Sequence, residues 1–490
     1  MAYEFDMIVI GGGAAGLTTS GIAASFGAKT LMIERDRLGG DCTWTGCVPS
    51  KTLLKSAKAA HIIRHASYYG LVDQDLTFDF RRMMQRLHEI REEVYEDADK
   101  PELYEAMGVE VRFGQACFVD EHTLEIDGKK GVERVTSRFF TIAAGAGAWV
   151  PPIDGLQDVP YLTNHTLFEL AEQPDHLAIV GGGPIGTEMS QAFRRLGSRV
   201  TVIDMLDTIL SKDDPELTAM LRGVLEKEGV EYVLNAGVKT VSQGGGTIRV
   251  EVEQNGRRTV VEADALLMAT GRRPNLKGLN LEAAGIAYTH RGITVNDRCR
   301  TNRRHIYAIG DITGRYQFTH MSEHMGKVAA ANAIFKVPMK IDTKHVPWTT
   351  YTDPELAHVG ARERDLKEKG VAYKVYRFPF TRLDRAVTDG ETTGLIKVFA
   401  RAWNGKILGA TILGTNAGEL IGEYALAMRN SITLRRISDT IHPYPTYGLG
   451  VRRVADQWYA QKQSPRLVRL LQKVFRYRGV VIEPDPDRIV

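Results

Sequence analysis

Cys42 and Cys47 stand five positions apart in Gly39-Gly40-Asp41-Cys42-Thr43-Trp44-Thr45-Gly46-Cys47-Val48-Pro49-Ser50-Lys51. They are two of only four cysteines in 490 residues. Two thiols that close in sequence can form a small disulfide ring, and such a couple carries two electrons. Four cysteines make no disulfide framework, so a close pair fits catalysis better than stapling. The alternative is two small buried residues. Cys117 and Cys299 have no neighbour in sequence and read as structural thiols.

The pair follows a device that occurs twice. Met7-Ile8-Val9-Ile10 predicts a strand running into Gly11-x-Gly13-x-x-Gly16, a small-residue helix, and a second strand, Thr30-Leu31-Met32-Ile33, closing at Glu34. Leu177-Ala178-Ile179-Val180 runs into Gly181-x-Gly183-x-x-Gly186, and Val200-Thr201-Val202-Ile203 closes at Asp204. The glycines and the closing acid recur in one register, Gly11 to Gly181 and Glu34 to Asp204. This is the Rossmann dinucleotide unit: glycines let backbone approach a pyrophosphate, the helix N-terminus offers N–H donors, and the acid receives ribose hydroxyls. A dinucleotide beside a dithiol suggests a flavin that feeds electrons into the disulfide.

The length suits roughly three domains. Hydrophobic content of 43% and charged content of 25% are those of an ordinary globular protein. A net charge of +3 is too small to imply a nucleic-acid partner. The N-terminus lacks a basic n-region, and glycines 11–13 break its apolar stretch, so it reads as strand and turn rather than signal peptide. No apolar run would span a bilayer, and a cytoplasmic location is expected. Residues 76–108 look helical and amphipathic, through Phe78, Phe80, Met83, Met84, Leu87, Ile90, Val94 and Tyr95. Residues 235–262 predict short strands with turns at Gly244-Gly245-Gly246 and Asn255-Gly256. Past Lys340–Trp348 the character changes, with a strand at 394–398 and a helix near 418–430. The expected fold is α/β, with two Rossmann-type domains and a C-terminal α+β domain.

These motifs resemble the flavoprotein pyridine nucleotide-disulfide oxidoreductases, a family that includes dihydrolipoamide dehydrogenase, glutathione reductase, mercuric reductase and soluble transhydrogenase. The resemblance also rests on Ala269-Thr270-Gly271-Arg272-Arg273-Pro274-Asn275, Ile306-Tyr307-Ala308-Ile309-Gly310-Asp311, and Ile407-Leu408-Gly409-Ala410-Thr411-Ile412-Leu413-Gly414. It implies FAD on the first unit (Gly11, Gly13, Gly16, Glu34, Gly40, Lys51, Ala116, Gly145, Asp311) and a nicotinamide nucleotide on the second (Gly181, Gly183, Gly186, Asp204, Gly271). It implies a homodimer whose C-terminal domain completes the partner's site. Residues 1–150 and 276–343 would bind FAD, 151–275 the nicotinamide nucleotide, 344–463 would dimerise, and 464–490 form an extension. By the same resemblance Cys47 lies against the flavin and Cys42 faces substrate, while Lys51 pairs with Glu188 near the flavin. Asp311 would meet the flavin's ribityl-phosphate region, with a helix N-cap as the plainer reading. Asp204 favours NADH over NADPH, although Arg272 or Arg273 could yet supply charge to a 2′-phosphate. Pro184 stands where some members carry an aromatic gate.

The chain departs from the thiol-disulfide branches at His442-Pro443-Tyr444-Pro445-Thr446-Tyr447-Gly448-Leu449. Tyr444 occupies the place of the acid/base histidine and Leu449 that of its orienting glutamate. A phenol is a poor base at neutral pH. His442 could substitute if residues two apart on an extended segment share a face. Tyrosine here resembles mercuric reductase and the transhydrogenase; the transhydrogenase branch lacks the full cysteine pair that stands here, and mercuric reductase needs no base because a soft metal ion binds thiolates directly. Yet no cysteine follows Cys299 to deliver the ion, a metal-binding N-terminal domain is not expected, and Asp41 replaces a usual threonine. No resident metal is expected.

After Ser464-Pro465 a basic amphipathic helix is predicted, suited to packing across the dimer or to weak membrane-surface contact through 464–482. The expected activity is NAD(P)H oxidation with electrons leaving Cys42 for a soft metal ion, a quinone or another small oxidant. The alternatives are dihydrolipoamide dehydrogenase-like chemistry and, in another class, a membrane-associated redox adaptor or low-turnover flavoprotein subunit.

Overall fold

A computed structural model describes residues 3–462 and 464–481. The chain forms two compact units, one of residues up to Asp207 with Gly229–Ile341, the other of Thr208–Glu228 with residues from Asp342 onward.

In the first unit, strands Phe5–Ile10, Thr30–Glu34, Val109–Phe113, Gly131–Ile142 and Ile306–Ala308 pair in parallel. Gln115–Phe118 and Thr123–Gly128 extend this sheet antiparallel through Gly131–Ile142. Buried runs such as Met7-Ile8-Val9 fit strands covered on both faces. Helix Ala14–Ser25 packs against helix Thr319–Ala333, around Met7, Val9, Ala15, Met325 and Val328. The second Rossmann sheet is four-stranded and parallel, in the order Val230–Val233, Arg199–Ile203, His176–Val180, Ala265–Met268. The two nucleotide loops repeat one geometry: Gly11 and Gly181 have φ of +106° and +113°, and a Cβ on Gly16 or Gly186 would collide with the carbonyl oxygen of Gly11 or Gly181.

The expected 76–108 helix is interrupted. It runs from Phe80 to Val94, started by Asp79, whose carboxylate accepts from the N–H groups of Arg81 and Arg82. Pro101, which lacks an N–H, opens a second short helix, Pro101–Ala106. Residues 236–263 form a three-stranded antiparallel sheet.

The second unit is a five-stranded antiparallel sheet ordered Pro347–Thr350, Glu355–Gly360, Ile407–Gly414, Leu395–Ala400, Lys374–Pro379. Helices Ala417–Arg429 and Gly448–Ala460 share its core through Ile421, Tyr424, Val451 and Val454. Helix Pro215–Lys227 groups with this unit, although its chain position lies between two strands of the second Rossmann sheet. Its N-cap Asp214 meets Lys397 at 2.8 Å, and Glu216 and Glu363 approach the same ammonium at 3.0 and 3.3 Å. Helix Pro465–Phe475 is capped by Ser464 and buries none of its residues. Among the described residues, no helix is long and apolar enough to cross a membrane.

Candidate active site

The cysteine segment folds as two short steps. Helix Gly40–Trp44 carries Cys42, and Cys47 is the first residue of helix Cys47–Arg64. The segment lies against the first nucleotide loop: Gly39 N–H donates to Gly12 O at 2.9 Å. Gly40 has φ +59°, and a Cβ there would press to 2.8 Å from Gly13 Cα. That approach explains the glycine pair preceding Asp41.

Cys42 and Cys47 are free thiols here and hydrogen-bond each other. The bond from Cys42 lowers the Cys47 pKa to about 6, helped by Thr319 and the charge of Lys51 and opposed by burial and Glu188. Placement at a helix N-terminus acts in the same sense. The same bond, with burial, pushes Cys42 far up. The reduced pair is therefore polarised, with thiolate at Cys47 and thiol at Cys42. Thr319 Oγ1 lies 3.6 Å from Cys47 Sγ. Lys51, one turn after Cys47, donates through Nζ to Glu188 Oε2 at 2.8 Å and to Ser50 Oγ at 3.2 Å. Glu188 is buried on helix Pro184–Leu196.

Asp41 is the hub of a second cluster. Its Oδ2 is 2.5 Å from Arg272 Nη1, and its Oδ1 accepts from Asn164 Nδ2 at 3.0 Å and from Thr45. Arg272 also lies 3.4 Å from Asp311 and donates to Ala146 O at 2.7 Å. Burial pushes the Asp311 carboxyl up, and Arg272 partly offsets this. Asp311 sits in a 3-10 turn, Gly310–Thr313, and caps no helix. Arg272 is thus engaged by Asp41 and Asp311; Arg273 stays exposed.

The two closing acids make matched contacts. Glu34 accepts from Gly12 N–H at 2.7 Å and Asp36 N–H at 2.9 Å. Asp204 accepts from Gly182 N–H at 2.6 Å and Leu206 N–H at 2.8 Å. Gly13 and Gly183 are the N-caps of the following helices, which have no side-chain cap and no acid in the first turn. The first-turn N–H groups are therefore left for an anion, a donor set that fits a dinucleotide pyrophosphate at each loop. Gly145 and Gly271, both at positive φ, have open space where a Cβ would stand. Ala116 is buried on strand Gln115–Phe118, paired with Ile126.

His442 and Tyr444 belong to the other compact unit and do not share an environment. The His442 side chain is 8% exposed; Nε2 lies 3.1 Å from Glu423 Oε1 and Nδ1 3.0 Å from Thr440 O. Tyr444 is 68% exposed, and a hydrogen bond to Asp384 raises its pKa. Leu449 is buried in the sheet-helix core, which accounts for an apolar residue at that position. Thr319, Asn164 and Glu423 carry no motif; only the fold brings them to the residues they contact.

Residues 5–326 match the family model for pyridine nucleotide-disulphide oxidoreductases, and residues 346–453 match that family's dimerisation domain. Mercuric reductase of Bacillus cereus is 36% identical over 455 residues, covering 92% of this chain and 71% of the relative. Dihydrolipoyl dehydrogenase of Geobacillus stearothermophilus is 33% identical over 452 residues, covering 91% and 94%. The HOCl-induced flavoprotein disulfide reductase RclA of Escherichia coli, solved as a Cu(II) complex, aligns with a TM-score of 0.84 at 28% identity, over 93% of this chain and 99% of its own. LpdA of Mycobacterium tuberculosis aligns with a TM-score of 0.86 at 28% identity, over 92% and 99%.

Proposed function

The chain belongs to the pyridine nucleotide-disulphide oxidoreductase family, and from that premise we propose that it carries electrons from NADH, through FAD, to the Cys42–Cys47 couple and on to a small acceptor, of which a soft metal ion fits best. Membership makes it an FAD-dependent flavoprotein disulfide oxidoreductase of mercuric reductase and dihydrolipoamide dehydrogenase type. Its dimerisation domain fits a homodimer. The proposed division of labour gives FAD to 1–150 and 276–343, the nicotinamide nucleotide to 151–275, and dimerisation to 344–463.

Bound FAD would supply the two-electron relay between nicotinamide and disulfide. The chain's own residues do the rest. The loops Gly11–Gly16 and Gly181–Gly186 receive the pyrophosphates, and Glu34 and Asp204 orient the riboses. Asp204 repels a 2′-phosphate, which supports NADH. Two electrons open the disulfide and one proton goes to Cys42; Cys47 remains a thiolate at neutral pH, held beside Lys51. A soft metal ion binds both sulfurs directly, displacing the Cys42 proton to solvent, so this route needs no general base; passing the pair's two electrons to the acceptor re-forms the Cys42–Cys47 disulfide and releases the reduced metal. The exposed Tyr444, with its pKa raised, would serve poorly as one.

The observation that carries the reading is the geometry of the pair: Cys47 at a helix start and hydrogen-bonded to Cys42, with Lys51 one turn on and bonded to Glu188. NADH oxidation should be measured with Hg(II), Cu(II), lipoamide, glutathione disulfide and quinones, in wild type and Cys42→Ser. The proposal expects metal-dependent turnover that Cys42→Ser abolishes. Turnover that ignores the substitution would place the acceptor at the flavin instead.

A second reading, dihydrolipoamide dehydrogenase-like chemistry, is favoured by one contact: His442 has a carboxylate partner in Glu423. It predicts lipoamide turnover that His442→Gln lowers by about a hundredfold.

A further inference from the structure

The positive charge of this chain is not spread over it. Residues 464–490 hold six basic and three acidic side chains, so the remaining residues, of a chain with 63 basic and 60 acidic groups, are neutral overall. The three acids, Glu483, Asp485 and Asp487, all follow the helix; from 464 to 482 there are Arg466, Arg469, Lys473, Arg476 and Arg478 and no acid.

The helix Pro465–Phe475 sorts these charges to one side. At 100° per residue, Leu467, Val468, Leu470, Leu471, Val474 and Phe475 fill a continuous arc, and Arg466, Arg469 and Lys473 fill the opposite one. None of its residues is buried, and Leu467, Leu470, Leu471, Val474 and Phe475 are exposed. Phe475 and Tyr477 stack at its C-terminal end, centroids 5.7 Å apart. The two solved structures are matched over 99% of their own length yet account for 92–93% of this chain, and the dimerisation-domain match stops at residue 453. The helix thus lies beyond the matched dimerisation domain.

We propose that helix Pro465–Phe475 is an interfacial anchor that lays its apolar face into an anionic lipid bilayer while its basic face pairs with lipid headgroups. A polar face of a single sign suits a uniformly negative surface, whereas a protein groove presents mixed charge to be matched. Leucines, a phenylalanine and a terminal tyrosine are the side chains that settle at the headgroup–acyl boundary. An anchor of this kind is reversible and depends on lipid charge and salt.

The test uses the full-length, FAD-loaded protein with vesicles of phosphatidylcholine alone or with phosphatidylglycerol at about one third. Protein should sediment with the anionic vesicles and not with the neutral ones, and added salt should release it. R466E/R469E/K473E should lower partitioning by about a hundredfold or more, and L467S/L471S/F475S should abolish it. NADH oxidation should be unchanged in both variants. Equal sedimentation with neutral and anionic vesicles, or binding that survives both variants, would overturn the proposal. So would absent vesicle binding, and a dimer that dissociates in L467S/L471S/F475S in that case would assign the apolar face to a second copy.

Discussion

Cys47 and Cys42 have the same side chain and opposite tendencies, and the difference comes from what surrounds them. Cys47 begins a helix, accepts from Cys42, lies 3.6 Å from Thr319 Oγ1 and has Lys51 one turn on; Cys42 donates and is the more costly thiol to ionise. The sign of the pH dependence follows. A lowered pKa means that the Cys47 thiolate fraction rises through about pH 6 and is complete near neutrality. Alkylation of the reduced protein by iodoacetamide should show that midpoint, and Cys47→Ser should lose it. Lys51→Met removes the neighbouring cation and should move the midpoint up by about one unit; an unmoved midpoint would leave the helix start and Cys42 as sufficient causes. Asp204 allows a similar local test. On the proposal that Asp204 accepts the ribose hydroxyls and repels a 2′-phosphate, replacing it with Ala should lower the ratio of kcat/KM for NADH over NADPH at least tenfold. An unchanged ratio would mean that other residues set the preference.

Elements matter because they turn sequence neighbours into spatial ones, and partners distant in sequence into contacts. The glycine loops were legible because each turn needs specific glycines at fixed spacing and because the device is repeated. The helix Cys47–Arg64 brings Lys51 to Glu188 across 137 positions, a pair that was readable only through the family pattern. Thr319 beside Cys47 and Glu423 beside His442 were not readable, since a single threonine or glutamate has no periodicity or spacing that marks it. The different surroundings of His442 and Tyr444 were not readable either: the prolines favour extension, but only the fold shelters one side chain beside Glu423 and leaves the other exposed. Leu449 shows the converse, a functional-looking gap that is a core position. The helix Pro215–Lys227 was also invisible as part of the C-terminal unit. Its attachment includes the buried Lys397, 3% exposed, bonded to the cap Asp214. Lys397→Met would leave that carboxylate buried without its cation and should cost about 3–5 kcal/mol. Urea unfolding measures this, and a loss under 1 kcal/mol would show that water or a rearranged Arg377 takes over.

The whole molecule joins two glycine loops of matched geometry, a polarised dithiol and a dimerisation domain, with a basic helix beyond that matched domain. Its class was legible at this scale, because a doubled nucleotide motif with a five-residue cysteine spacing leaves few other chemistries. The acceptor was not legible, since no local motif around Cys42 marks what receives its electrons. The central claim is that reducing equivalents from NADH reach both sulfurs. The direct measurement is the thiol content of the oxidised holoenzyme, titrated with Ellman's reagent under argon before and after one equivalent of NADH. Wild type should gain the thiols of both Cys42 and Cys47, and Cys42→Ser and Cys47→Ser should gain none. Loss of flavin absorbance with no gain in thiol would contradict the account.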